Sequence, residues 1–218
     1  MKDFDFYQVI GVISPGVIVV TGGIVLFFPE QRQNLESISN LSIGGLGLGL
    51  ILAYALGQLL QAFGSIIEKI WWKFWGGMPI DWVRSGKRDL VAESQRKQIQ
   101  RHAQTMLNDQ SLDFTSIDAK QWYSIVRQMY AAVSIEARAS RIDVFNANYG
   151  LCRGVVASFL ALFAATVIKD WQLWILELVL VILIALSIFR MHRFGVHYAR
   201  ELFIQFLDSQ DKRIGGDK

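Results

Sequence analysis

Ile43–Ile67, IGGLGLGLILAYALGQLLQAFGSII, runs for 25 residues without a charged side chain. A helix rises about 1.5 Å per residue, so roughly 20 apolar residues cross a hydrocarbon layer about 30 Å thick. This stretch is long enough to span with some tilt. Three other segments resemble it. Tyr7–Phe28 has no charge in 22 residues. Tyr149–Ile168 has only Arg153, and Trp171–Phe189 has only Glu177. Together the four take up 86 of the 218 residues. That distribution excludes a soluble globule, a disulfide-stapled secreted domain and a disordered chain. The expected fold is all-α: an integral membrane protein with four transmembrane helices.

Tyr7–Phe28 reads as a span and not as a cleavable signal, because its apolar core is too long and no A-x-A site follows. Pro15-Gly16 inside it predicts a kink, which serves either packing or gating. Glu68, Lys69 and Lys73, with Trp71, Trp72 and Trp75 among them, close the second span as an interfacial aromatic belt. Lys169-Asp170 alone separates spans three and four, which predicts a tight hairpin. The expected organisation is a helix pair at 1–75, a polar helical region at 76–148, a second pair at 149–189 and a helical tail at 190–218.

Lys and Arg near the span ends set the orientation. The two short connections have one basic residue each, Arg32 and Lys169. The region Asp81–Asn146 has ten, and the tail after Phe189 has six. The central region and both termini are therefore expected in the cytoplasm. The one cysteine, Cys152, fits a chain that uses no disulfide.

Within the central region, Arg84–Leu107 reads as a helix, followed by turn residues at Asn108–Asp113. Thr115 or Ser116 then caps a second helix with Asp118 in its first turn. Trp122, Val126, Met129 and Val133 recur at helical spacing as a buried stripe. No breaker stands between Lys120 and Tyr149, so this helix is expected to continue into span three. Phe194, Tyr198, Leu202 and Phe206 predict a matching extension below span four.

Tyr54, Gln58, Gln61, Ser65 and Glu68 are spaced 4, 3, 4 and 3, on one face of the second span. Polar groups there need interhelical partners or water, so the face is either glue inside a bundle or the wall of a water path. Gly45, Gly49, Ala53 and Gly57 recur every four residues and allow close helix approach, within the chain or between subunits. Glu177 is an intramembrane carboxylate, able to pair with span two or to line an ion path. Arg153 is expected to anchor span three at the headgroups. Arg84, Lys87, Arg88, Arg96, Lys97 and Arg101 form a basic segment that is a solvated face, a lipid-contacting or partner-contacting surface, or a site for an anionic ligand. Without interleaved aromatics it predicts no nucleic-acid binding.

No Walker loop, HExxH, cysteine pair or G-x-S-x-G is present, and no catalytic residue, cofactor or metal is expected. His102, His192 and His197 do not make a metal set. Arg190-x6-His197 has the loose spacing of the HEPN ribonuclease motif, at a membrane-helix exit where both residue types are common.

The blocks Tyr54–Gln61 (YALGQLLQ), Gly76–Pro79 (GGMP), Phe145–Gly154 (FNANYGLCRG) and Phe194–Leu202 (FGVHYAREL) resemble those of small bacterial multi-spanning membrane proteins. The plan of a few spans plus a small cytoplasmic module is similar to membrane effectors of anti-phage defence systems. The resemblance favours an effector role, and the polar face of the second span, its small-residue row and Glu177 predict an inner-membrane, homo-oligomeric, channel-like protein. Its cytoplasmic helices would sense a signal or partner while its spans perturb the membrane. The other reading is a non-conducting scaffold that recruits a cytosolic protein.

Overall fold

A computed structural model describes residues 6–28, 43–86, 88–135, 139–170 and 172–216. Seven α-helices and no strands occur among the described residues: α1 (Phe6–Phe27), α2 (Ile43–Phe74), α3 (Pro79–Ser85), α4 (Glu93–Leu107), α5 (Ala119–Ile135), α6 (Ser140–Lys169) and α7 (Trp174–Gly216). Four of them, α1, α2, α6 and α7, are long and apolar enough to cross a membrane. The chain divides into two compact units, residues 1–70 with 147–192, and residues 71–146 with 193–218.

The first unit holds the apolar stretches. Its helices pack through small residues, because only a missing side chain lets two backbones come close. A Cβ on Gly16 of α1 would overlap the Ala53 carbonyl of α2, and one on Gly57 would overlap the Val12 carbonyl. A Cβ on Gly154 of α6 would lie 2.6 Å from Pro15 Cγ. Ser158 of α6 is fully buried and donates to the Pro15 carbonyl at 3.0 Å. Leu26, Leu162 and Leu180 form an apolar cluster joining α1, α6 and α7. Asp170 caps the turn after α6 by accepting from the Gln172 amide at 3.0 Å. α7, the fourth span, starts at Trp174, and Trp171 lies outside the described residues along with the connection 29–42.

The second unit is more polar and has its own core. The expected stripe Trp122, Val126, Met129 and Val133 is buried along α5. Trp122 stacks on Phe203 of α7 at 6.1 Å, meets Phe114 edge-on at 4.9 Å and donates its indole N–H to the Ile80 carbonyl at 3.2 Å. On α7 the buried row is Ala199, Leu202, Phe203, Phe206 and Ser209, a 3.6-residue stripe rather than the every-fourth row that Phe194 and Tyr198 begin.

Three further boundaries, all in the second unit, differ from the sequence reading. Arg84–Leu107 is not one helix. Gly86, at φ 63, takes the left-handed conformation that ends α3, and α4 starts only at Glu93. Left-handed backbone is cheap for glycine and costly for residues with a Cβ. The cap of α5 is Asp118, whose carboxylate accepts from the Gln121 amide at 2.7 Å, rather than Thr115 or Ser116.

The third difference is that α5 does not continue into α6. The Tyr130 hydroxyl donates to the Asp143 carboxylate at 2.6 Å. Thirteen residues of unbroken helix would set those positions roughly 20 Å apart along the axis, beyond the reach of two side chains. Ala139 is a turn residue whose carbonyl accepts the Asp143 amide, and the new helix starts there.

Candidate functional site

Gln61, near the middle of α2, makes four side-chain hydrogen bonds to two other helices. Its position follows from α1. Proline has no amide hydrogen, so Pro15 leaves the Gly11 carbonyl without its usual donor four residues on. In hydrocarbon such an orphan costs several kcal/mol unless another donor reaches it. Gln61 Nε2 supplies one, at 2.8 Å from the Gly11 carbonyl oxygen, and also donates to the Gly150 carbonyl of α6 at 3.1 Å. Its Oε1 accepts from Arg153 Nη2 at 3.1 Å and Nε at 3.3 Å. One amide thus ties three helices. Gly154 makes room for it, since a Cβ there would sit 2.7 Å from Gln61 Nε2.

Two turns further along α2, Glu68 pairs with Arg153 Nη1 at 2.6 Å, both side chains being mostly buried. Gly64 lies between Gln61 and Glu68, and a Cβ on it would lie 2.9 Å from Arg153 Cγ. The arginine therefore lies along a groove in α2 with its guanidinium spread over both partners. Arg153 does not reach outward as an anchor, as the sequence suggested, because its donors go to α2. Ser65 donates to the Gln61 carbonyl one turn back at 3.0 Å.

The five-residue polar face therefore divides. Gln61, Ser65 and Glu68 are engaged inside the unit. Tyr54 and Gln58 are exposed on α2, and Gln58 Nε2 donates to the Tyr54 hydroxyl at 3.0 Å. The small-residue row divides the same way. Ala53 and Gly57 are buried against α1, whereas nothing lies within 4 Å of a Cβ on Gly49. Gly45 is half-buried. Glu177 stands in the first turn of α7 with Oε1 buried and without a hydrogen-bond partner. Among the described residues no hydrogen bond joins it to the polar face of α2, so of the two alternatives the pairing with span two is not made.

In the second unit the described basic residues are engaged in different ways. Arg84 donates to the Ile117 carbonyl at 2.7 Å. Arg96 donates to the Val83 and Arg84 carbonyls at 2.7 and 2.8 Å, satisfying the C-terminal end of α3. Lys97 pairs with Glu93 one turn back and holds that carboxyl below its usual range. Arg101 is exposed, and Lys87 lies outside the described residues. Arg88 is exposed, with its guanidinium over the Trp75 ring at 4.6 Å and the Trp82 ring at 5.3 Å. His197 stacks on Phe145 at 5.5 Å. His102 is buried and lies 3.2 Å from Asp211, with Gln98 donating to the same carboxylate. No group of three or more His, Cys, Asp or Glu able to hold a metal occurs among the described residues.

Sequence reasoning did not find the Gln61–Arg153–Glu68 junction. Two signals carry it: a proline inside a span, which requires a donor from elsewhere, and two opposite lone charges at the ends of different spans. No protein-family model matches the chain, and comparisons with curated proteins and with solved structures find no similar protein.

Proposed function

We propose that the chain is a multi-pass protein of the bacterial inner membrane, with both termini and the polar helical unit in the cytoplasm. It acts without catalysis as an oligomeric, channel-like effector. The apolar exposure of the four long helices supports the membrane reading: Leu48 is 66% exposed, Ile175 62% and Phe189 59%. In water such surfaces drive aggregation, whereas in lipid they are at home. The ten basic residues of Asp81–Asn146 support the orientation.

The observation that carries the oligomeric reading is the outward Tyr54–Gln58 pair. One hydrogen bond between them leaves an amide hydrogen, the amide oxygen and the phenolic hydrogen to be satisfied. At that depth a second copy or a water path supplies those partners. Anti-phage defence is the role proposed from the resemblance in plan.

The test is a dye measurement of membrane potential on expression, with Tyr54→Phe/Gln58→Leu as the variant. Loss of depolarisation with unchanged thermal stability in detergent supports the reading, and undiminished depolarisation removes it. A second reading, a non-conducting scaffold, is favoured by the consumption of Gln61, Ser65 and Glu68 inside one chain. A monomer in detergent that co-purifies with a cytosolic protein decides for the scaffold.

A further inference from the structure

The end of α2 and the turn after α3 carry a second feature, which the channel-like reading does not use. Trp71 and Trp75 lie one turn apart on α2 with ring centroids 6.0 Å from each other. Trp72, three residues before Trp75, is buried and meets Trp82 edge-on at 6.0 Å. Gly76 and Gly77, at φ 77 and φ 111, then turn the chain. Gly77 donates its amide back to the Trp72 carbonyl at 2.9 Å, and its carbonyl accepts the Trp82 indole N–H at 3.1 Å. The indole of Trp82 is thereby fixed to the turn. Phe74, between the tryptophans, is 81% exposed, and Lys73 is exposed beside it.

Arg88 completes the arrangement. Its guanidinium sits over both Trp75 and Trp82, and the side chain remains exposed. Stacking on aromatic faces orients a planar fork whose N–H edge matches two phosphate oxygens. An exposed Phe beside tryptophans at the end of an apolar helix belongs at the boundary of hydrocarbon and headgroups. The cleft that Trp82 and Arg88 also line is a poorer place for an anion. It is lined by Asp89 and Glu93, and its second arginine, Arg96, is bonded to main-chain carbonyls.

We infer that Arg88, stacked on Trp75 and Trp82, holds the phosphate of an acidic phospholipid in the cytoplasmic leaflet, with Phe74 set among its acyl chains. The inference rests on the reading of α2 as a span whose end faces the cytoplasm.

The test uses the full chain in neutral detergent. Thermal unfolding is followed on adding dioleoylphosphatidylglycerol, dioleoylphosphatidylcholine or inorganic phosphate. A lipid that binds only the folded state raises the midpoint by mass action. The expected result is a rise of several degrees with the acidic lipid alone, lost in Arg88→Gln. If that variant unfolds earlier in the absence of lipid, Arg88→Lys is read instead, which keeps the charge at Trp75 and most of the rise. The inference is overturned if the Gln variant keeps the full rise, if phosphatidylcholine matches it, or if inorganic phosphate reproduces it, which would make this a site for soluble anions. Failure of the spanning reading shows separately, as a protein that stays dispersed without detergent.

Discussion

The side-chain amide of Gln61 stands 2.8 Å from the carbonyl oxygen of Gly11, the atom that Pro15 deprives of its helical donor. A break in the hydrogen bonding of one helix is thus repaired by a side chain of another, and the repair fixes the approach of α1 to α2. Gln61→Leu removes two donors and one acceptor and leaves the Gly11 and Gly150 carbonyls to other partners. The expected loss is about 1–3 kcal/mol, the range for a buried polar group left unpaired. Gln61→Glu is the informative control: a carboxylate still accepts from Arg153 but donates to neither carbonyl. Both variants should unfold at lower temperature in detergent, and a wild-type midpoint for Gln61→Glu would show that the carbonyls need no donor.

Arg153 and Glu68 give an asymmetric prediction. Arg153→Met leaves a mostly buried carboxylate without its cation and is expected to cost about 3 kcal/mol, the low end for breaking a buried pair. Glu68→Leu with Arg153→Met removes both charges and should recover part of that loss. A double-mutant cycle in thermal unfolding measures the coupling, and values near zero would demote the pair to a surface contact.

The glycines of α2 divide into two classes. Gly57→Ala places a methyl against the Val12 carbonyl and should lower the melting temperature. Gly49→Ala meets nothing within 4 Å and should be neutral or stabilising by about 1 kcal/mol, the usual helix-propensity gain. Equal effects at the two sites would contradict the packing of α1 on α2.

Tyr130 supplies a pH prediction. Burial first, and then its hydrogen bond to Asp143, push its hydroxyl above the ordinary value of 10.0. A raised folded-state pKa means that the neutral phenol is favoured on folding. Its contribution is therefore fully present below about pH 10 and is lost as pH rises through the higher folded value. Tyr130→Phe should flatten the alkaline limb of a stability–pH profile and leave the neutral region's slope unchanged. A wild-type alkaline slope in that variant would rule Tyr130 out as its source.

Composition was enough to read four long apolar helices, because hydrocarbon demands uninterrupted runs such as Ile43–Ile67. The stripe Trp122, Val126, Met129 and Val133 was legible for a similar reason: burial of one helix face repeats at a fixed period. The ends of α3 and α5 were not. Gly86 follows a basic last turn and is an ordinary stop signal, but mixed charge on both sides hid the break. Nothing local separates α5 from α6, since the Tyr130–Asp143 bond that excludes a continuous helix is a tertiary contact. The fate of the polar face was equally hidden. Gln58 and Gln61 look alike in sequence, and only the neighbours at Gly11, Gly150 and Arg153 distinguish an occupied amide from an outward one.

Glu68 and Arg153 are separated by 85 positions in the chain. At about 5–20 residues per second, a ribosome needs roughly 4–17 s to synthesise that interval. During this time the acidic half of the pair has been made and its cation has not. On the spanning reading, the first two helices enter the lipid before Arg153 exists to pair with Glu68. Closure of the junction is a late step of biogenesis, and a chain truncated before Arg153 would present insertion and quality-control machinery with an unneutralised carboxylate.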